Sequence, residues 1–477
     1  MGEARRRGSR EQREVEAIKR NKRDLAMAMG LLDERDPMHQ ALKAAFKALV
    51  DRMTPEQWQQ RRAAVLDHLK SRGNSPQLAE AKPIRVREDE MGWYLLLCEQ
   101  AINDPMCTDE SQSQRILPFF AGLGARWQYA HRVAGIERKL DELLKEHRKQ
   151  PDGLFFEVLV ALAYAEAGWD VTFIEEGSGK TPDMRVVRAG QEYIVECKRM
   201  SRTTDYSERE RNQFLRLWDA GKHVLVDKGQ WVWFKGTFHV DPADLPENFL
   251  RDLWQASLPI GLGERVLMDS EQATIKARLI DQDGVRRHMR DFTVKANSAM
   301  LNRVIGGDWA PENAAVTLLP LLQISHVKGC EAPELGMYAE QVGFACGFTR
   351  DFDSETSIDK RAKDVKKLLS DAVEQVPRDK PSIIHLAAET MEGAQVEHRR
   401  TEKLLAGMPD FDFEGAPVAL VRFHRIQAHQ RATIQFELDE TVDTLHATDI
   451  DVSEIPRMVV APRSTPMVPG THWELYP

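Results

Sequence analysis

Apolar residues in the first 149 positions recur at helical spacing, as in Leu25, Met29 and Leu32, then Ala41, Ala45 and Leu49. Spacings of three and four predict amphipathic helices. Thr54 followed by Pro55 reads as an N-cap and a first helical position. The polar run from Arg72 to Pro76 is expected to divide this region, and a long charged helix is expected over 126–149. From residue 150 the period changes. Between Leu154 and Ala165 every residue is apolar or aromatic except Glu157, which predicts a buried helix carrying one carboxylate. Asp152 suits its start and Gly168 its stop. A strand over 169–174, a loop over 175–181 and two strands joined at Arg188 to Gln191 follow. Next come a helix over 206–221 and the strand Trp231 to Lys235, which is expected to extend the same sheet. Residues 236–350 hold short β-like runs, 273–280 and 291–295. Then a helix over 358–376 precedes the strand 382–388, and a helix over 397–405 precedes the strand 418–426. The last fifty residues read as strands and turns.

The expected class is α/β, or α+β overall, in four parts: a helical region at 1–149, a compact core at 150–235, a β-rich insertion or linker at 236–350, and an α/β region at 351–477 that either completes the core sheet or stands alone. A chain of 477 residues with 42% hydrophobic and 30% charged residues is an ordinary globular polymer. It has enough length to bury a core without disulfide staples. Five scattered cysteines with no CxxC pair fit reduced thiols. His326, Cys330 and Cys346 have no fourth ligand at a zinc-like spacing. The charged start lacks the apolar stretch of a signal peptide, and no run is long enough to span a membrane. A cytoplasmic protein is expected. The net charge of −9 means that any nucleic acid must be held by a local basic patch.

The chemistry concentrates between Glu157 and Lys198. If Ala189 and Gly190 form a two-residue hairpin loop, Arg188 pairs with Gln191 and Asp183 falls opposite Glu196. Opposed residues share a face with Cβ atoms about 5 Å apart. Lys198, two residues past Glu196, returns to that face. Two adjacent carboxylates repel, and a divalent cation relieves the conflict. Hard oxygen donors suit Mg²⁺, and a lysine beside it can orient a water for phosphodiester hydrolysis.

Pro182-Asp183 followed by Glu196-Cys197-Lys198 resembles the PD-(D/E)XK nuclease superfamily, with its restriction-endonuclease-like mixed sheet flanked by helices. Glu157 resembles the extra acidic residue that many members carry on the preceding helix. The likeness covers about 150–235. It implies that Asp183, Glu196, the Cys197 carbonyl and Glu157 hold Mg²⁺ (or Mn²⁺ in its place), and that Lys198 positions the attacking water. It implies a nuclease acting in restriction, repair or phage defence, on DNA rather than RNA by the family's habits. Glu80-Ala81-Lys82 and Pro409-Asp410 each carry half of the pattern without the rest. Gly179-Lys180-Thr181 looks like the end of a P-loop, but Ile174 stands where its first glycine belongs and a strand follows instead of a helix.

Backbone phosphates need cations. Arg199, Arg202 and Arg209, with Lys180 from the preceding loop, are the candidates nearest the proposed site, and Arg211 and Arg216 continue the group. Gln213 is the one glutamine on this helix to match those of some relatives. Trp231 and Trp233 read as core, His385 as a satisfied histidine and Glu389 as a helix cap, and His424 and His429 show no metal spacing. The partner expected is nucleic acid, with a homodimer or a regulatory protein as further possibilities. The alternative from another class is a silent or partner-activated binding module on a nuclease-like fold.

Overall fold

A computed structural model describes residues 10–28, 30–73, 86–175, 180–200, 205–307, 315–362, 365–429, 437–463 and 465–475. The N-terminal part comprises helices α1 (Arg10–Ala28), α2 (Pro37–Val50), α3 (Pro55–Gly73), α4 (Glu90–Asn103) and α5 (Glu110–Arg126). The cap expected at Thr54 is present. Its Oγ1 accepts from Gln57 N at 3.2 Å, and the Gln57 side chain accepts from Thr54 N at 2.9 Å, a reciprocal capping box. The break expected around Pro76 falls mostly outside the described residues.

The single charged helix expected over 126–149 is not formed. A 3-10 turn (Trp127–Arg132) leads into strand β1 (Val133–Ala134), and helix α6 covers only Ile136–Leu144. Gly135, at φ +85°, makes the reversal between them. Helices α2 and α5 meet where Gly124 lies against the Ala41 carbonyl, so close that an added Cβ would stand 1.8 Å from that oxygen. Gly124→Ala is therefore expected to cost about 1–3 kcal/mol or more through overpacking. An unchanged urea midpoint would show that the two helices are free to part.

Helix α7 (Asp152–Glu166) is buried on all sides, and β2 (Asp170–Phe173), β3 (Met184–Arg188) and β4 (Gln191–Arg199) follow. Next in the chain are α8 (Asp205–Lys228), β5 (Val232–Phe238), α9 (Phe249–Ser257), β6 (Arg265–Asp269) and β7 (Ala273–Leu279). They are followed by α10 (Gln282–Asp291), β8 (Val294–Lys295), α11 (Ala299–Gly306), β9 (Ala315–His326) and β10 (Met337–Phe352). The helix expected over 358–376 is two pieces, α12 (Glu355–Arg361) and α13 (Lys366–Val373). The chain then forms β11 (Ser382–Glu389), α14 (Ala394–Gly407), β12 (Val418–His429), β13 (Glu437–Ala447) and α15 (His472–Leu475).

The strands form two mixed sheets. The first has seven strands in the order β1-β2-β3-β4-β11-β12-β13. β2, β3 and β4 are an antiparallel meander, while β11 runs parallel to both β4 and β12. The C-terminal α/β segment thus completes the sheet that β2–β4 begin. Alternate side chains of β4 and β11 enter separate cores. Val195, Cys197, Ile383 and Ala387 face α7 and the N-terminal helices, whereas Ile384, Leu386 and Ala388 face α13 and α14. The second sheet runs β6-β7-β5-β10-β8, with β9 paired along β10.

The expectation that the Trp231–Lys235 strand extends the first sheet is corrected: β5 pairs β7 and β10. Trp233 is fully buried there with Phe234, Phe348 and the apolar face of α8 (Phe214, Leu217, Trp218). Its neighbours belong to residues 273–279 and 347–352, so local alternation gave no sign of which sheet it would join. No helix of the described residues is long and apolar enough to cross a membrane.

Candidate active site

The hairpin loop is Ala189 and Gly190, both at positive φ (50° and 83°), as a type I′ turn requires. Pairing runs from Arg188 with Gln191 to Met184 with Val195. The same register carried one residue further sets Asp183 against Glu196. Asp183 lies just before β3, and its Oδ2 accepts the Cys197 main-chain N–H at 2.6 Å. Its own carbonyl accepts from Ile174 N at 2.9 Å. The carboxylate is thus tied to β4 from one side and to the end of β2 from the other.

Glu196 is fully buried, and Lys198 Nζ stands 2.6 Å from its Oε1. This ion pair is the contact that holds Glu196, and no further donor reaches either of its carboxylate oxygens. Glu157, from the middle of α7, is in the same electrostatic neighbourhood as Asp183, Glu196 and Lys198. Its Oε2 also lacks a donor. The structure brings together all four groups picked out from the sequence.

Taking these acids out of water disfavours their charged forms. Burial first, and the neighbouring Asp183 second, push Glu157 and Glu196 each up to about 8. Burial also raises Asp183 to about 6, against the opposing pull of the Cys197 N–H, Lys198 and Lys139. Burial works against a charged Lys198, but Glu196 and the other two carboxylates outweigh it and hold its pKa above the ordinary value.

A carboxyl whose folded-state pKa is raised contributes stability below its unfolded pKa, and that contribution is lost as pH rises through the folded value. For Glu157 and Glu196 the window runs from about 4.5 to about 8. Without divalent cation, Glu196→Gln is therefore expected to stabilise the protein far more at about pH 9 than at about pH 5. Urea denaturation in EDTA at both pH values measures this. An equal effect at both would mean that Glu196 carries no electrostatic strain.

One group was missed. Lys139 of α6, with a side chain only 5% exposed, places Nζ 3.5 Å from Glu157 Oε2 and 3.4 Å from Glu142 Oε2. Its signal was present in the sequence: Lys139 stands on the same stripe as Ile136, Leu140 and Leu143, where an apolar residue belongs.

The expected phosphate contacts are not all available. The Arg199 side chain is 3% exposed, donates to Glu389 and lies over the Phe119 ring, so it is corrected from a nucleic-acid contact to an internal ion-pair member. Arg209 is exposed on α8. Lys180 is exposed and pairs with Glu374 beyond α13. Arg202, and the Gly179 of the P-loop-like triplet, lie outside the described residues.

Glu389 was read as a helix cap, and it is instead the hub of a buried network. Arg115 of α5 donates to both its carboxylate oxygens, at 2.8 and 2.7 Å. Arg115 also reaches Asp152 Oδ2 and the Tyr94 hydroxyl, each at 3.2 Å. The histidines are satisfied core groups. Tyr164 Oη lies 3.0 Å from His385 Nε2, His385 Nδ1 lies 2.9 Å from His424 Nε2, and His424 Nδ1 lies 2.8 Å from Glu440 Oε1. Glu440 in turn accepts the N–H groups of Val459, Val460 and Ala461.

Among the described residues, no group of three or more His, Cys, Asp or Glu side chains is arranged to hold a metal ion by itself. No family model, curated protein or solved structure matches the chain.

Proposed function

We propose that the chain is a metal-dependent nuclease of the PD-(D/E)XK type that hydrolyses phosphodiester bonds, in DNA by preference. The observation that carries this reading is the meeting of three carboxylates, Asp183, Glu196 and Glu157, around only two lysines, Lys198 and Lys139. A purely structural site avoids crowding more buried carboxylates than it has cations to balance. The order of elements supports the restriction-endonuclease-like assignment: helix α7, the antiparallel meander β2–β4, then β11 parallel to β4.

The donor set fits Mg²⁺, or Mn²⁺ in its place. Asp183 and Glu196 offer hard oxygens, joined by the Cys197 carbonyl, by Glu157 directly or through water, and by solvent. This coordination does not need three protein side chains. When bound, the cation supplies charge neutralisation and a more acidic water. The chain's own residues do the rest. The Cys197 N–H fixes the direction of the Asp183 carboxylate. Lys198, partly open to solvent at the end of β4, orients the attacking water and faces the phosphate oxygen on which charge grows. Glu157 and Lys139 form the inner wall, where Lys139 balances the carboxylate charge.

The test is incubation of supercoiled, linear and single-stranded DNA, and of RNA, with Mg²⁺, Mn²⁺ or EDTA. Cleavage of DNA that requires the cation supports the reading. Cleavage that persists in EDTA overturns it. No cleavage of any substrate, together with no stabilisation by Mg²⁺, favours a silent binding module on the same fold.

A further inference from the structure

Away from this site, three segments remote in sequence converge around two sulfurs. Cys107 ends the 3-10 turn Pro105–Cys107 between α4 and α5, and Cys330 lies on the connection between β9 and β10. Both are free thiols, and the two sulfurs interact directly. Lys22 of α1 ties the two segments together. Its ammonium pairs with Asp104, lies 3.9 Å from Cys107 Sγ and donates to the Gly329 carbonyl at 3.2 Å. The turn is anchored from the other side: Lys295 Nζ and Tyr338 Oη both donate to the Met106 carbonyl, at 3.2 and 3.0 Å.

We propose that Cys107 and Cys330 form a reversible disulfide on exposure to a peroxide, making this junction an oxidative modification site of the protein. The sulfurs have unequal roles. Cys107 is buried and Cys330 is partly open to solvent. Cys330 Sγ donates to the Ala332 carbonyl at 3.1 Å, and its contact with the Cys107 sulfur chiefly holds it below its ordinary pKa. The same contact between the sulfurs, followed by burial, pushes Cys107 up. Cys330, the sulfur that a peroxide can reach from solvent, is the nucleophile, and the buried Cys107 is the resolving thiol.

In the first step the Cys330 thiolate attacks a peroxide oxygen. The S–O bond forms, the O–O bond breaks, and the departing hydroxide takes a proton to become water. In the second, the Cys107 sulfur attacks the sulfenic sulfur. The S–S bond forms, the S–O bond breaks, and the Cys107 proton leaves with the hydroxide as a second water. Two thiols are oxidised and one peroxide is reduced to two waters. A reducing compartment keeps such a pair open until oxidant arrives.

The experiment treats the full-length protein with hydrogen peroxide, denatures it under alkylation, and maps peptides by mass spectrometry. Alkylatable thiols are expected to fall from five to three, Cys98, Cys197 and Cys346 remaining. A cross-linked peptide joining Cys107 to Cys330 is expected to appear, and dithiothreitol to restore all five thiols. In Cys107→Ser the cross-link is lost and Cys330 is trapped by dimedone as sulfenic acid. In Cys330→Ser neither product forms at Cys107. Independent oxidation of the two cysteines without a cross-link, or no loss of either thiol at a peroxide dose that oxidises exposed methionine, overturns the proposal.

Discussion

Replacing Lys198 with alanine is expected to lower cation-dependent DNA cleavage by about 10²–10³-fold, the usual loss when one group aimed at developing charge is removed. The fold is expected to survive. Lys198 is the cation nearest Glu196, but Glu196 already favours its protonated form up to about pH 8. In the variant it takes up a proton instead of remaining an unpaired buried charge. Lys198→Arg is not expected to rescue the rate, because a planar guanidinium does not place its charge where an ammonium does. Asp183→Asn is the complementary change. Its amide carbonyl still accepts the Cys197 N–H, so the loop before β3 stays in place, while the anionic donor is gone. Cleavage should fall at least as far as in the lysine variant. The stabilisation that wild type gains from Mg²⁺, about 3 kcal/mol at one hundred times the dissociation constant, should disappear. Thermal unfolding with and without Mg²⁺ reads this independently of turnover. If both variants cut at the wild-type rate, the nuclease activity resides elsewhere and the assignment of Asp183 and Lys198 fails.

The site was legible because its geometry is local. Asp183 and Glu196 are joined by one tight hairpin, and a two-residue turn fixes which side chains oppose each other. The run of apolar residues around Glu157 marked that carboxylate as buried without reference to any other element. What the sequence concealed depends on partners far along the chain. Arg199 looked like a free cation next to the site, yet its carboxylate, Glu389, is 190 residues away in β11. The strand at Trp231 had the right composition for either sheet, and only its pairing with residues 273–279 and 347–352 decides. The long hairpin of β9 and β10, which supplies much of the second sheet, was unread because β9 carries Pro320 and exposes Leu321 and Ile324, blurring its alternation. Likewise, 126–149 has the charge pattern of one helix, and a single left-handed glycine at 135 divides it.

Arg115→Ala is expected to destabilise the protein by about 3–5 kcal/mol, the cost of removing one member of a buried ion-pair network. Arg115 is buried and holds the carboxylate of Glu389 with two parallel hydrogen bonds, the strongest geometry available to such a pair. Its second contact is to Asp152 in the first turn of α7, and the Asp152 carbonyl accepts from Arg199, which adjoins Lys198 in β4. Two guanidiniums, Arg115 and Arg199, therefore link α5, α7, β4 and β11, the elements that carry Glu157, Lys198 and the strand beside them. Without Arg115, the buried Glu389 keeps only Arg199 as a cation, and Asp152 loses its arginine. Arg115→Lys keeps the charge but not the paired donors, so it should retain most of the stability while cleavage falls through displacement of α7 against β4. Arg115→Met with Glu389→Met also strips the buried Arg199 of its carboxylate, so it should recover little of the loss seen in Arg115→Ala. Urea denaturation of the three variants gives the comparison. If Arg115→Ala unfolds at the wild-type midpoint, Glu389 and Asp152 are solvated or protonated without it. The alignment of Glu157 with Lys198 must then come from the packing of α7 on the sheet alone.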